Sequence, residues 1–344
     1  MSLLSVEDVT MRFGGLVANE RVSFRVEEGQ ILSVIGPNGA GKTTLFNAIT
    51  GIYRPTEGRV LFQGAEVVRR FSTAALLRAL AVGAVTAVAA VVLLNSTPLW
   101  QAAISAPYVY GEAFPWGDAV RAAWRTLAEL PAAWGAVPAA IAFLVGTAAA
   151  LVLWRNGRRT PELIARAGIA RTFQNIRLFG EMTLLENVLV GMHGRLSTGY
   201  WTSLLRLPSY WRERRHAAER AMELLHFVEL DDRAFEPARG LPYGLQRRLE
   251  IARALASRPR LLLLDEPAAG MNPTETVELM ELIRRIRAGG TTVLLIEHHM
   301  RVVMGISDRI VVLNFGRRIA EGTPEEIRRD PACIEAYLGK EDLG

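Results

Sequence analysis

A chain of 344 residues is long enough for a full hydrophobic core and one or two domains. Half of it is apolar and its mean hydropathy of +0.17 points to contact with a membrane. The location of the net charge of +5 takes most of the support from a nucleic-acid-binding reading: from Arg69 to Thr160 eight Arg stand against Glu112, Asp118 and Glu129, which accounts for the whole excess. The single Cys333 excludes an internal disulfide and fits a reducing compartment, and no secretory signal is expected in Met1 to Thr10, where Ser, Glu and Asp interrupt the apolar residues.

In chain order, Leu3 to Val9 and Val22 to Val26 alternate apolar and polar residues and read as strands, and Glu28-Gly29 turns into an apolar run, Ile31 to Ile35. That run leads into Gly36-Pro37-Asn38-Gly39-Ala40-Gly41-Lys42-Thr43-Thr44, followed by a helical pattern. Glycines at this spacing, between a buried strand and a helix, let backbone N–H groups turn inward and cradle phosphate oxygens. Lys42 is suited to reach the β and γ phosphates and the Thr43 hydroxyl to hold Mg²⁺. Lys42 and Lys340 are the two lysines of a chain whose other basic residues are Arg, and a thin ammonium stem fits inside such a loop where a planar guanidinium does not.

Pro55 to Gly58 is a turn before a short strand, Arg59 to Phe62, and beyond Ala65 the character changes. No charged residue lies between Arg78 and Glu112 or between Glu129 and Arg155. Ala79–Leu94 and Ala136–Trp154 are each close to the roughly 17–25 residues that cross a bilayer as a helix. Arg69, Arg70, Arg78, Arg155, Arg158 and Arg159 flank this pair, which places both ends inside and Asn95 to Gly135 outside. Small residues at four-residue spacing (Ala79, Gly83, Ala87; Ala142, Gly146, Ala150) permit close helix packing. The expectation is therefore three parts: residues 1–68, an apolar helical hairpin over 69–159 that contacts or spans the membrane, and residues 160–344. A non-spanning apolar cap is the alternative for the middle part.

From Pro161 the chain alternates helix and strand, which implies a largely parallel sheet with helices on both faces. A buried strand, Leu261 to Leu264, ends in Asp265-Glu266; Asp265 is placed to hold Mg²⁺ and Glu266 to deprotonate the attacking water. Thr291 to Ile296 ends at Glu297-His298-His299, where His298 should emerge near the same site and contact the γ-phosphate. His299 reads as a surface residue at a helix start. Leu241-Pro242-Tyr243-Gly244-Leu245-Gln246-Arg247-Arg248 precedes an amphipathic helix expected over Leu249 to Ser257.

The order of phosphate loop, Gln174, Leu241–Arg248, Asp265-Glu266 and His298 resembles the ATP-binding subunit of an ABC transporter over nearly all of residues 1–68 and 160–340. Met11 to Leu16, Arg171 to Phe179, Glu266 to Pro273, and the ending Gly322 to Gly339 are similar to the branched-chain amino acid importer type. The resemblance implies an α/β P-loop NTPase fold with a mostly parallel sheet, an antiparallel β subdomain and a helical subdomain. It implies that Phe13 stacks on adenine, and that Gln174 senses Mg²⁺ and water and links the site to a membrane subunit. It further implies a cytoplasmic face of a bacterial inner membrane, a second ATPase subunit packed head to tail, two permeases and an external solute-binding protein. Pro242, Tyr243 and Leu245 depart from the wider family's Leu-Ser-Gly-Gly-Gln, and Asn272 stands where many members have Asp. The alternatives are the ATPase of a urea, amide or lipid transporter and, remotely, a DNA-maintenance ATPase. The latter would insert charged heptads where this chain is nearly uncharged.

Overall fold

The structure is a computed structural model that describes residues 2–67, 72–157, 160–195 and 204–338. It divides into two compact units, one formed by Met1–Val68 with Arg159–Gly344 and the other by Arg69–Arg158.

In the first unit, β1 (Ser2–Phe13) and β2 (Leu16–Glu27) form a hairpin turned by Gly14-Gly15, and β4 (Glu57–Phe62) and β5 (Ala65–Glu66) complete an antiparallel sheet in the order β2-β1-β4-β5. Val6 faces Phe24 on one side and Val60 on the other, so alternate residues of three strands share one buried face. The larger sheet runs β10-β9-β3-β8-β7-β6, with β3 (Ile31–Ile35), β6 (Ile169–Arg171), β7 (Leu261–Asp265), β8 (Thr292–Ile296), β9 (Arg309–Asn314) and β10 (Arg317–Gly322). It is parallel except at β10. Every residue of β3, β7 and β8 is buried, as expected of parallel strands covered on both faces.

The two faces separate by strand period. Leu262, Leu264, Val293 and Leu295 join a core built with the helices, whereas Leu261, Leu263, Leu294 and Ile296 join one built with the antiparallel sheet and α1 (Lys42–Ile49). The parallel strands all end on one edge, where an open α/β sheet binds its ligands.

The second unit holds α2 (Thr73–Leu94), α3 (Ser96–Trp100), α4 (Trp116–Ala128) and α5 (Ala136–Asn156). The helix expected from Ala79 starts at Thr73, because Ser72 caps it by accepting from the Ala75 N–H at 3.3 Å. α2 and α5 lie antiparallel with each glycine against the other helix's threonine. A Cβ on Gly83 would meet Thr147 Oγ1, and one on Gly146 would meet Thr86 Oγ1. The Thr86 hydroxyl donates to the Ala142 carbonyl at 3.0 Å, and Asn95 Nδ2 to Trp134 O at 3.0 Å. The small-residue rows thus form the seam, while Leu77, Val85, Val88 and Leu93 of α2 and Ile141, Leu144, Val145 and Leu153 of α5 are exposed.

In the first unit the remaining helices relevant to the site are α6 (Pro161–Ala167), α7 (Leu184–Met192), α8 (Pro208–Phe227), α9 (Tyr243–Ala256) and α10 (Pro273–Ala288). α9 begins six residues before the expected Leu249, with Pro242 at its N-cap, so Tyr243–Arg248 are helical. Proline tolerates that position because its missing N–H would have no partner there, and Gly244 in the first turn dims the sequence signal.

Candidate functional site

The phosphate loop leaves β3 at Gly36 and enters α1 at Lys42. Gly41 holds φ +91°, and a Cβ there would lie 2.4 Å from the Ala18 carbonyl, so only glycine fits. The Asn19 amide donates to the Gly41 carbonyl at 3.2 Å and pins the turn to β2. Pro37, Asn38, Gly39 and Ala40 form the arch, closed by an Ala40 N–H to Pro37 O bond of 3.2 Å. Lys42 Nζ donates to Gly36 O at 2.6 Å and Pro37 O at 2.9 Å, which leaves one of its three N–H groups for a phosphate. Burial lowers the Lys42 pKa, against which the nearby Glu266 and Asp265 carboxylates act. Thr43 is exposed and Thr44 half-buried in the first turn of α1.

Asp265 ends β7, buried, with Oδ2 held at 2.7 Å by Arg171 from β6. Arg171 also donates to Asn47 of α1 at 2.6 Å, so one guanidinium ties the carboxylate strand to the phosphate-loop helix. Asp265 Oδ1 is buried without a hydrogen-bond partner among the described residues. Glu266 has φ +46°, a conformation uncommon outside glycine, and its N–H bonds to Ile296 O at 2.9 Å. Gln174 Nε2 donates to Glu266 Oε2 at 2.8 Å, and His298 Nδ1 stands 3.8 Å from the same oxygen. Glu266, Gln174 and His298, distant in sequence, are therefore in one cluster. Phe13 ends β1 with its ring half-exposed, edge-to-face with Tyr53 at 5.2 Å between centroids.

Three side chains to which the sequence reading gave no role support this cluster. Glu297, fully buried, accepts the N–H of Ala268 at 2.8 Å, of His298 at 3.0 Å and of His299 at 3.3 Å. It locks the segment after Glu266 to the segment carrying His298. Arg247 and Glu250 form a buried ion pair on α9 at 2.7 Å that reaches the backbone around Gln174. Their i, i+3 spacing was visible in the sequence; their burial was not. Two departures from the family pattern also have local causes. Leu245 packs into the helical core, and Asn272 caps α10 in a reciprocal box with Glu275. His299 occupies the N-cap position of the next helix, Met300–Ile306, with its side chain exposed and making no capping bond.

A glycine-lined anion cradle with a lysine in it, beside a carboxylate pair at the ends of parallel strands, defines a nucleoside-triphosphate hydrolase of the phosphate-loop class. The ABC transporter family matches residues 19–91 and 151–269, and the branched-chain amino acid ATP-binding cassette transporter family matches residues 317–342. The chain is 39% identical over 339 residues to the high-affinity branched-chain amino acid transport ATP-binding protein BraF of Pseudomonas aeruginosa, covering 98% of each chain. It is equally similar to LivG of Escherichia coli K12, described in the same words, with the same coverage. A probable LivG of Archaeoglobus fulgidus is 28% identical, covering 99% of this chain and 97% of that one. Among solved structures, a nucleotide-free ATP-binding cassette from an ABC transporter superposes with TM-score 0.64 at 25% identity, covering 99% of this chain and 100% of that one. The chain belongs to the ABC transporter ATP-binding family.

Proposed function

We propose that this chain is the ATP-hydrolysing subunit that energises import of branched-chain amino acids across a bacterial inner membrane. The observation that carries the reading is the Gln174–Glu266–His298 cluster beside Lys42, on a chain 39% identical to transport subunits named for that solute class. The backbone N–H groups from Gly36 to Thr44 bind the phosphates of ATP, and Lys42 offers its remaining donor to them. Phe13 takes the adenine on its exposed face. Gln174 engages one oxygen of Glu266, so the other is left to accept the proton of the attacking water. His298 steadies the same carboxylate and faces the γ-phosphate.

The donor set fits Mg²⁺: an orphaned buried Asp265 oxygen, the Thr43 hydroxyl and the Gln174 amide oxygen are hard ligands suited to an ion that keeps part of its coordination for phosphate. When bound, the ion neutralises charge on the phosphate oxygens.

The partners in this reading are a second ATPase subunit, which receives the Leu241–Leu245 segment at its nucleotide, two permeases and an external binding protein. Reconstitution with the neighbouring permeases should give ATP turnover stimulated by leucine or valine together with the binding protein. Stimulation by urea or by lipid alone would assign the subunit to another transporter.

Residues 69–159 attach this subunit to the membrane as a spanning hairpin. Helices Thr73–Leu94 and Ala136–Arg155 have 22 and 20 residues, or about 30 Å each at 1.5 Å per residue, the thickness of a hydrocarbon core. Their mean hydropathy is 2.3 and nearly all of both apolar surfaces is open. Between them Trp100, Tyr110, Trp116, Trp124 and Trp134 are exposed, the residue types that settle at a membrane–water boundary. The intact chain should resist extraction by salt and alkali, and Ser105→Cys on a Cys333→Ser background should react with an impermeant thiol reagent from outside. Salt release with no labelling would leave the apolar cap.

A further inference from the structure

Arg247 is among the largest fully buried side chains of the described residues, and so far it has only a supporting place beside the site. Its guanidinium donates to Phe173 O at 2.6 Å, to Gln174 O at 2.8 Å and to Glu250 at 2.7 Å. Glu250 in turn accepts the Phe173 N–H at 3.2 Å. Two residues of α9 thus grip the main chain at Phe173 and Gln174, and the Gln174 side chain ends on the catalytic carboxylate. The Leu241–Leu245 segment enters the same helix about one turn earlier, with Gln246 Nε2 bonded back to Leu241 O at 2.8 Å.

We propose that Arg247 is a positioning residue that transmits the placement of the Leu241–Leu245 segment to Glu266 through Gln174. The grip is rigid for a physical reason. The donors of a guanidinium lie in one fixed plane, and here that plane is held at three points, by the carbonyls of Phe173 and Gln174 and by the Glu250 carboxylate. Movement of α9 therefore carries the backbone of Gln174 with it, and the 2.8 Å bond to Glu266 opens or closes accordingly. An ATP held against this chain's signature segment is in this way sensed at this chain's own hydrolytic carboxylate. The proposal rests on the reading of Gln174 and Glu266 as hydrolytic groups.

The test is a double-mutant cycle on ATP turnover by the full-length protein in Mg²⁺. Arg247→Met with Glu250→Gln removes the grip without leaving a lone buried charge, and Gln174→Ala removes its target. Each should lower kcat by about 10-fold or more with the KM for ATP within about twofold, and the combination should be no slower than the slower of the two. Arg247→Lys, which keeps the charge opposite Glu250 but cannot reach both carbonyls, should fold normally and turn over at an intermediate rate. Multiplicative losses in the cycle, or full activity of the Arg247→Met/Glu250→Gln protein, would overturn the coupling and leave the site intact. Unimpaired turnover by both Gln174→Ala and Glu266→Gln would instead remove the hydrolytic site and the proposal with it.

Discussion

Replacing Glu266 by glutamine tests the centre of the hydrolytic site, and the geometry around it sets what should change. The two side chains have the same shape, and the introduced amide can turn its carbonyl oxygen toward Gln174 Nε2, so the 2.8 Å bond survives. The phosphate-loop contacts of Lys42 are to Gly36 and Pro37 and are untouched. What disappears is the group proposed to accept a proton, worth about 10²–10⁴ in rate or roughly 3–5 kcal/mol of barrier. Neutralising a carboxylate close enough to Lys42 to act on its ionisation also removes repulsion toward the triphosphate. ATP affinity should therefore be equal or tighter while single-turnover hydrolysis falls at least about 10²-fold. A fluorescent nucleotide measures the first and quenched-flow phosphate release the second. Hydrolysis within tenfold of the parent protein would refute Glu266 as the base.

Arg171→Met should cost about 3–5 kcal/mol of stability in urea, because it strands the buried Asp265 carboxylate; a loss under about 1 kcal/mol would mean that water replaces the guanidinium. Gly41→Ala should weaken ATP binding by about tenfold or more in titration calorimetry, since the Cβ meets Ala18 O and the residue must hold φ +91°; unchanged binding would mean the arch tolerates a shift. Burial and the neighbouring Asp330 push the Cys333 thiol from 9.0 up to about 11. A folded-state pKa above the unfolded one gives a stabilisation that is whole below about pH 9 and lost as pH rises through about 11. Urea midpoints between pH 8 and 11 should fall more steeply for the parent protein than for Cys333→Ala, and parallel curves would contradict this.

The phosphate loop and the Asp265-Glu266 pair were legible because they depend on short local patterns: glycines at fixed spacing after an apolar run, and acids at the end of one. Gln174 was located through resemblance, since nothing local marks it, and His298 through its place at the end of a buried strand. The supporting residues were not legible, for a common reason. Arg171, Arg247, Glu250 and Glu297 are charged residues in ordinary-looking positions, and their burial depends on strands and helices far away in sequence. Leu245 shows the reverse case. It stands out in the sequence as a departure from the wider family's Leu-Ser-Gly-Gly-Gln, whereas its neighbours in the core make it a packing residue. The end of α9 was placed to within one residue and its start missed by six, because a proline followed by Tyr-Gly looks like a loop until the helix N-cap is seen.

The position of β3 has a consequence for how this chain is made. The strand that launches the phosphate loop is among the first to be synthesised, yet it sits in the middle of its sheet, paired with β8 and β9. Bonds at its start, from Gly29 to Thr292 and from Ile31 to Asp308, span 263 and 277 residues. Few contacts in a protein this size close longer loops, and such closures come late in folding. A ribosome must therefore deliver nearly the entire polypeptide, apolar hairpin included, before the nucleotide cradle has walls. A chain cut short before Thr292 should leave both edges of β3 bare, a substrate for proteases and chaperones and no match for ATP.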